Sequence, residues 1–249
     1  MTSLVMASAE LPASSPRHEP AHSFTYRMTL GGAEMAALKL EITCDGLVRR
    51  LALVMRNTGI TAWIRRIRTE MRSTVNAVNG TALPMVFTAL YKKPDRRREI
   101  RLEYDAEGAL LSVSLVKNGR PKQSDVPPEL QQGTVDPLTA YVRLQDWLRA
   151  PRKEGDRIIL GIFEGRKRLD LEAVYVGPET VTFRGREVPG HRLRVRLTGL
   201  FGFDGGFGFV GRPEEPPNWL DVRTTDGDFP VLVRAAGRSS SLAPVVELE

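Results

Sequence analysis

Alternation of apolar and polar residues with a period of two is the feature that most constrains the fold of this chain. The clearest case is residues 192–197, where three arginines alternate with Leu193, Val195 and Leu197. A period of two places successive side chains on opposite faces of a β-strand. Similar segments follow one another from Phe24 onwards, separated by Gly-Gly, Asp-Gly and Asn-Gly turn signals. This pattern predicts about a dozen antiparallel strands.

One segment, residues 135–150, has the helical period instead. Asp136 is a suitable N-cap, Pro137 suits the first helical position, and Pro151 ends the pattern. One face of this helix would carry Leu138, Tyr141, Val142, Leu144, Gln145 and Leu148. Because a dozen antiparallel strands must curl, we expect a mainly β fold: a curved sheet or open partial barrel wrapped around one main helix.

The remaining segments complete the predicted organisation. Residues 1–23 are rich in Ala, Ser and Pro and are predicted to be a disordered tail or a truncated export signal. Residues 24–249 would form a single β-rich domain. Residues 117–133 are polar and proline-rich and are predicted to be a connector, and residues 169–176 and 180–183 to be two separate strands.

The composition limits the function classes. The chain has 36 Lys and Arg against 30 Asp and Glu, a net charge of +6 that favours anionic neighbours. Its single cysteine, Cys44, excludes an intrachain disulfide and a Cys/His metal cluster. No apolar run approaches the roughly 20 residues of a transmembrane helix. We therefore expect no transmembrane segment and no metal.

The inventory of catalytic groups is poor. His191 is the only histidine after the first strand, and no GxSxG, HExxH or Cys–His motif occurs. Aromatic residues are not interleaved with the basic ones, as nucleic-acid stacking platforms require. We predict a protein that is not an enzyme, uses no cofactor and does not bind nucleic acid.

Two groups of residues are candidates for a ligand site. The stretch 199–211 places Phe201, Phe203, Phe207 and Phe209 among glycines, as in a hairpin packed on the core or a mobile apolar flap over a cavity. Trp63, Ile64, Leu138 and Tyr141 could pack in the core or line an apolar pocket between helix and sheet. Separately, a basic surface is predicted from Arg65, Arg66, Arg96, Arg97 and Arg98.

The order of these segments resembles the DUF3108 family of bacterial envelope proteins. The resemblance covers about residues 24–237. It rests on YRMTLGGAEMAALKLEI, LPMVFTALYKKPDRRREIRLEYD, DPLTAYVRLQDWL, GDRIILGIFEGRKRLDLEAVYVG, VPGHRLRVRL and FPVLVRAAG, with DPLTA before the helix as the best marker. It implies an exported, periplasmic protein with a curved sheet around a helix, distantly similar to the periplasmic lipoprotein carriers (LolA/LolB-like).

Two functions follow as hypotheses. The first is a non-enzymatic cell-envelope protein that binds or carries a lipid or other apolar ligand between helix and curved sheet, with a lipid or lipoprotein as partner. The second is an envelope scaffold with a filled core, whose basic surface docks an acidic protein.

Overall fold

The computed structural model describes residues 22–59, 62, 66–78, 80–203, 210–214, 218–237 and 243–249. Within these ranges the chain is mainly β, with fifteen strands and two short helices. The strands are β1 His22–Leu30, β2 Ala33–Asp45, β3 Val48–Asn57, β4 Arg68–Val78, β5 Thr81–Lys93, β6 Arg96–Tyr104, β7 Leu110–Lys117, β8 Arg120–Lys122, β9 Arg157–Phe163, β10 Arg168–Phe183, β11 Arg186–Phe201, β12 Val210–Gly211, β13 Trp219–Thr225, β14 Leu232–Gly237 and β15 Pro244–Leu248. The helices are α1 Pro128–Gln131 and α2 Pro137–Arg149.

The described strands form one large open sheet. Their order is β8-β7-β6-β5-β4-β3-β2-β1-β15-β14-β13-β11-β10-β9, and the end strands β8 and β9 do not pair with each other. Neighbours in this order are antiparallel, and β12 adds a short parallel pairing to β11. The first eight strands therefore form one half of the sheet, β9 to β14 form the other half, and β15 lies between them.

The turn signals place the hairpins correctly. Gly31-Gly32 joins β1 to β2, and Gly46 follows the last residue of β2 before β3 begins at Val48. Gly227 lies in the turn between β13 and β14. The first two of these turns confirm the predicted meander of β1, β2 and β3 at the start of the chain.

Two sequence predictions were wrong in detail. Residues 169–176 and 180–183 belong to one strand, β10, whose register against β11 shifts between Tyr175 and Gly177. This irregularity breaks the alternation without breaking the strand. The predicted connector at residues 117–133 contains β8 and α1, because three residues of β8 are enough to pair with β7.

The N-cap prediction for the main helix is confirmed. Asp136 has an extended backbone conformation, and its carboxylate accepts hydrogen bonds from the backbone N–H groups of Leu138 and Thr139. Pro137 occupies the first turn, where its missing N–H leaves no hydrogen bond unmade. The helix ends at Arg149, two residues before Pro151.

The buried apolar side chains form four clusters. Helix α2 takes part in three of them. The first cluster is Phe24, Tyr26, Leu40, Ile42, Leu51, Val75, Ala82, Leu138, Val142 and Val231. The second is Phe87, Ala89, Ile100, Leu102, Tyr104, Leu115, Val126 and Phe163. The third is Leu148, Ala173, Tyr175, Leu193, Val195, Leu220 and Val222, and the fourth is Val135, Ala140, Leu160 and Ile162. The helix therefore packs against strands of both halves of the sheet.

Candidate ligand-binding site

The site begins at the tight turn between β9 and β10, residues 164–167. The backbone N–H of Glu164 donates to the carbonyl of Lys167 at 3.2 Å and closes the turn. Gly165 has φ +93°, and a Cβ there would lie 2.6 Å from Cγ2 of Ile100. Only glycine allows this turn to lie so close to β6. As a result the charged residues on either side of Gly165 are held against the face of the other half of the sheet.

Phe203 is held beside this turn by two other glycines. Gly202 has φ +80°, and a Cβ there would lie 2.6 Å from the carbonyl oxygen of Arg166. A Cβ at Gly199 would lie 2.7 Å from Cδ2 of Phe203, so the ring occupies the space above the β11 backbone. The ammonium of Lys167 lies 4.5 Å from the centre of the Phe203 ring. The start of the Gly-Phe stretch is thus packed against residues 166–167.

A cavity of about 220 Å³ lies between these elements and the start of α2, and it is open to solvent on one side. Six of its nine lining residues are apolar or aromatic and three are charged. The lining consists of Met71, Tyr91, Pro137, Ile162, Glu164, Arg166, Lys167, Leu169 and Phe203. An apolar cavity with a few charged groups at one end is the usual form of a small-molecule site.

The charged end of the cavity is a connected group. The hydroxyl of Tyr91 donates a hydrogen bond to the carboxylate of Glu164, whose other oxygen lies 3.1 Å from Nη2 of Arg166. The Arg166 guanidinium also lies 5.1 Å from the centre of the Tyr91 ring. Burial raises the pKa of Glu164, while the charges of Arg166, Lys167 and Arg98 act in the opposite direction. Burial likewise raises the pKa of Tyr91, and the nearby Glu164 charge raises it further.

Arg98 belongs to the same group. It lies directly opposite Tyr91 on the neighbouring strand, on the face that also carries Ile100 and Leu102. Its pKa is lowered by burial and then by the charges of Arg166 and Arg96, while Glu164 partly restores it. Two guanidinium groups therefore lie near one carboxylate: Arg166 lines the cavity, and Arg98 lies opposite the cavity residue Tyr91 on the neighbouring strand.

The family is identified by its sequence model. The model of DUF3108, described as a protein of unknown function, matches residues 25–205. The chain belongs to the DUF3108 family. No functionally curated protein matches this DUF3108 chain.

A solved structure supports the fold of this DUF3108 protein. A β-barrel-like protein of the domain of unknown function DUF1849, from Brucella abortus, superposes with a TM-score of 0.53. The match covers 92% of this chain and 95% of that chain, at 10% sequence identity. At this identity the likeness concerns the fold alone.

The predicted ligand-binding residues are distributed over several places. Phe203 lines the cavity, whereas Leu138 is buried in the first cluster and Tyr141 packs against it. Phe201 packs against the second cluster. Trp63, Ile64, Phe207 and Phe209 lie outside the described residues. Their role in ligand binding stays a prediction.

The predicted basic residues separate into two groups. Arg66, Arg96 and Arg97 are exposed, while Arg98 is half-buried and faces the cavity side of the sheet. Arg65 lies outside the described residues. Sequence reasoning missed Tyr91, Glu164 and Arg166. The alternation of Arg98 with Ile100 and Leu102 was the signal that could have placed Arg98 on the inner face.

Two other features of this DUF3108 protein are less suited to a ligand. A larger hollow of about 360 Å³ crosses β4 to β7, but its walls include the outward-facing Glu70, Arg72 and Arg101. Glu70 there is already paired with Arg68 at 2.8 Å. Elsewhere, the ring of His191 lies 3.3 Å from the Tyr175 hydroxyl and 3.1 Å from Asp226, away from either cavity.

The described part of the chain contains neither a membrane-spanning helix nor a cluster of metal-binding side chains. Neither of its two helices has the length and apolar character needed to cross a bilayer. Within the same residues, no group of three or more His, Cys, Asp or Glu side chains is placed to hold a metal ion.

Proposed function

We propose that this DUF3108 protein is a non-enzymatic envelope protein that holds a short apolar ligand in the cavity beside the start of α2. The observation that carries the proposal is the cavity itself, walled by Met71, Ile162, Leu169 and Phe203. We propose a periplasmic location, which is what the resemblance of the sequence to a family of bacterial envelope proteins implies. In this proposal the sheet curves around α2, and the cavity is the gap left where the two halves approach each other.

The size of the cavity limits the ligand. Pockets that enclose drug-sized molecules have volumes of roughly 300–1,000 Å³. The cavity of about 220 Å³ lies below this range, so it suits one short acyl chain better than a complete diacyl lipid. Each buried methylene group contributes about 0.8 kcal/mol to binding. A chain of medium length would then bind measurably without a larger cavity.

Displacement of the neutral fluorophore N-phenyl-1-naphthylamine by 1-octanol tests the proposal. We expect octanol to displace the fluorophore from the wild-type protein. The variant Leu169→Trp should bind octanol at least about tenfold more weakly, because the larger ring fills the cavity.

Leu111→Trp is the matched control, since Leu111 is 67% exposed on β7 and does not line the cavity. Its octanol affinity should equal that of the wild type. The proposal fails if octanol does not bind, or if both variants bind it as the wild type does.

A second candidate is an envelope scaffold that docks an acidic protein. The observation favouring it is that Arg96 and Arg97 are exposed at the start of β6, next to the hairpin from β5. Charge reversal should be limited to Arg96→Glu and Arg97→Glu, because Arg98 is half-buried opposite Tyr91 on the inner face of the sheet. Loss of a co-purified acidic protein in this double variant would support docking, and undiminished capture would contradict it.

A further inference from the structure

The charges at one end of the cavity do not balance. Among the described residues, the Glu164 carboxylate faces two guanidinium groups: Arg166 at 3.1 Å, together with Arg98. Arg98 in turn faces Arg96 and Arg166 as like charges, with Glu164 as the opposing one. Like charges held this close repel each other, and the repulsion grows as water is excluded.

The two guanidinium groups also have unused hydrogen-bonding capacity. The Nε atoms of Arg98 and Arg166 are buried and make no hydrogen bond within the described structure. A guanidinium has donors in a fork that matches the oxygens of a carboxylate or phosphate. A buried donor without a partner is unfavourable, and an anion entering from the cavity would provide that partner.

The charged group and the apolar walls belong to the same cavity. Arg166 and Lys167 line it together with Leu169 and Phe203. The Lys167 ammonium above the Phe203 ring marks the border between the charged end and the apolar part. A molecule in the cavity would therefore meet cations at one end and hydrocarbon at the other.

We infer that the ligand is an anionic amphiphile, with a carboxylate or phosphate group bound by Arg166 and attracted by the charge of the neighbouring Arg98, and a short acyl chain against Leu169 and Phe203. This inference rests on the proposed function, because it assigns the polar end of the same ligand. The excess of cations favours a ligand with a negative head group over a neutral one.

Three probes with the same eight-carbon chain test the inference: octanoate, octyl phosphate and 1-octanol, measured by isothermal titration calorimetry at neutral pH and low salt. We expect the wild-type protein to bind the better of the two anions about tenfold more tightly than octanol. Whether octanoate or octyl phosphate binds more tightly identifies the head group as carboxylate or phosphate.

Arg98→Gln and Arg166→Gln should each reduce the preference for the anion over octanol to about twofold. Arg101→Gln is the matched control: it removes the same charge from the same strand, but Arg101 faces outward and pairs with Glu103 at 2.8 Å. The Arg101→Gln variant should prefer the anion over octanol as strongly as the wild-type protein does. If Arg166→Gln does not fold, as judged by circular dichroism, Arg98→Gln decides the result.

The outcomes separate the inference from the proposed function. Equal binding of anions and octanol by the wild type overturns the inference and leaves the apolar site intact. An equal loss of preference in Arg101→Gln also overturns it, since the effect would then come from net charge alone. If none of the three probes binds, both the inference and the proposed function are wrong.

Discussion

At the residue scale, Asp136, the N-cap of α2, accepts four buried hydrogen bonds. Its Oδ1 accepts from the backbone N–H groups of Leu138 and Thr139, both at 3.0 Å. Its Oδ2 accepts from the hydroxyls of Ser73 at 3.1 Å and Thr139 at 2.5 Å. One carboxylate therefore caps the helix and also ties it to β4.

Replacing this carboxylate should destabilise the protein strongly. Asp136→Ala removes a helix cap worth about 0.5–2 kcal/mol and leaves buried donors unpaired at about 1–3 kcal/mol. We expect a loss of about 2–4 kcal/mol in the free energy of unfolding, measured by urea denaturation. Asp136→Asn keeps an acceptor for the helix N–H groups and should lose less. Equal stability of the alanine variant and the wild type would contradict this role.

The asparagine variant also gives a test by pH. Burial raises the pKa of Asp136 in the folded protein, and Tyr104 and Arg143 are the nearby titratable groups. As pH rises above about 3.9, the unfolded chain loses this proton first, so the wild type loses stability until the folded carboxyl ionises. The stability of Asp136→Asn relative to the wild type should therefore increase with pH through the acid range. Urea denaturation of both proteins at several pH values measures this, and a relative stability that falls with pH would contradict it.

The close contact of Gly202 with the Arg166 carbonyl can be tested separately from its backbone conformation. Gly202→Ala adds both positive-φ strain and a clash with the Arg166 carbonyl. Gly185→Ala is the control, because Gly185 has φ +75° and nothing within 4 Å of its Cβ position. We expect only Gly202→Ala to weaken octanol binding, by about tenfold, through displacement of Phe203. Similar octanol affinities of the two variants would show that the Arg166 contact does not position Phe203.

Single residues also show how far sequence reasoning reaches. Asp136 is predictable as a cap because its helix partners lie two and three positions away. Its bond to Ser73 joins residues 63 positions apart, and no local pattern indicates such a contact. The pairing of Glu164 with Tyr91 spans 73 positions and was missed for the same reason.

At the element scale, α2 is fixed to both halves of the sheet by polar bonds from its sides. Arg143 Nε donates to the carbonyl of Ala82 on β5 at 2.8 Å, and Gln145 donates to the carbonyl of Pro230, before β14. Asp146 pairs with Arg49 on β3 at 2.9 Å, with exposed side-chain fractions of 11% and 16%. The apolar pattern predicted the helix, but these partners depend on the sheet topology.

The Arg49–Asp146 pair should be strongly coupled. Arg49→Met leaves the Asp146 carboxylate, which is 11% exposed, with Arg149 at 3.5 Å as its remaining ion pair among the described residues. This should reduce the free energy of unfolding by about 2 kcal/mol. Adding Asp146→Leu should restore about half of this loss, because it removes the unpaired charge. Chemical denaturation of the two single variants and the double variant measures the coupling. Strict additivity would show that the pair does not hold α2 to β3.

A strand could be predicted from the sequence where one of its faces is buried along its whole length and the other face is exposed. Hairpins with Gly-Gly or Asp-Gly turns have local signals, and their strands alternate cleanly. β10 was divided in two because Gly177-Pro178, which lies at the register shift, is typical of a turn between strands. β8 was missed because its three residues, Arg120, Pro121 and Lys122, are too short and polar to show a pattern.

At the scale of the whole molecule, β15 joins the two halves of the sheet. It pairs with β1 on one side, from Tyr26 opposite Leu248 to Leu30 opposite Pro244, and with β14 on the other. The backbone N–H of Glu249 extends this pairing to the carbonyl of Thr25 at 2.9 Å. Val246 and Leu248 also pack against the first cluster. β15 thus links β1 to β14, a strand that begins more than two hundred residues later in the sequence.

Truncation after Ala243 tests this link. It leaves β1 and β14 without their shared partner and removes two side chains worth about 1–2 kcal/mol each from the first cluster. We expect the free energy of unfolding to fall by more than about 3 kcal/mol. Since this free energy is only about 5–15 kcal/mol in most proteins, the two halves should then unfold separately. Native-state hydrogen exchange should show lost protection first in β1 and β14.

Glu247→Ala is the control, because Glu247 lies on β15 but its side chain is 63% exposed. It should change the free energy of unfolding by less than about 0.5 kcal/mol. A truncated protein that still unfolds in one transition of wild-type stability would mean that α2, together with the packing of Phe163 and Gly165 against β5 and β6, is enough to hold the halves together.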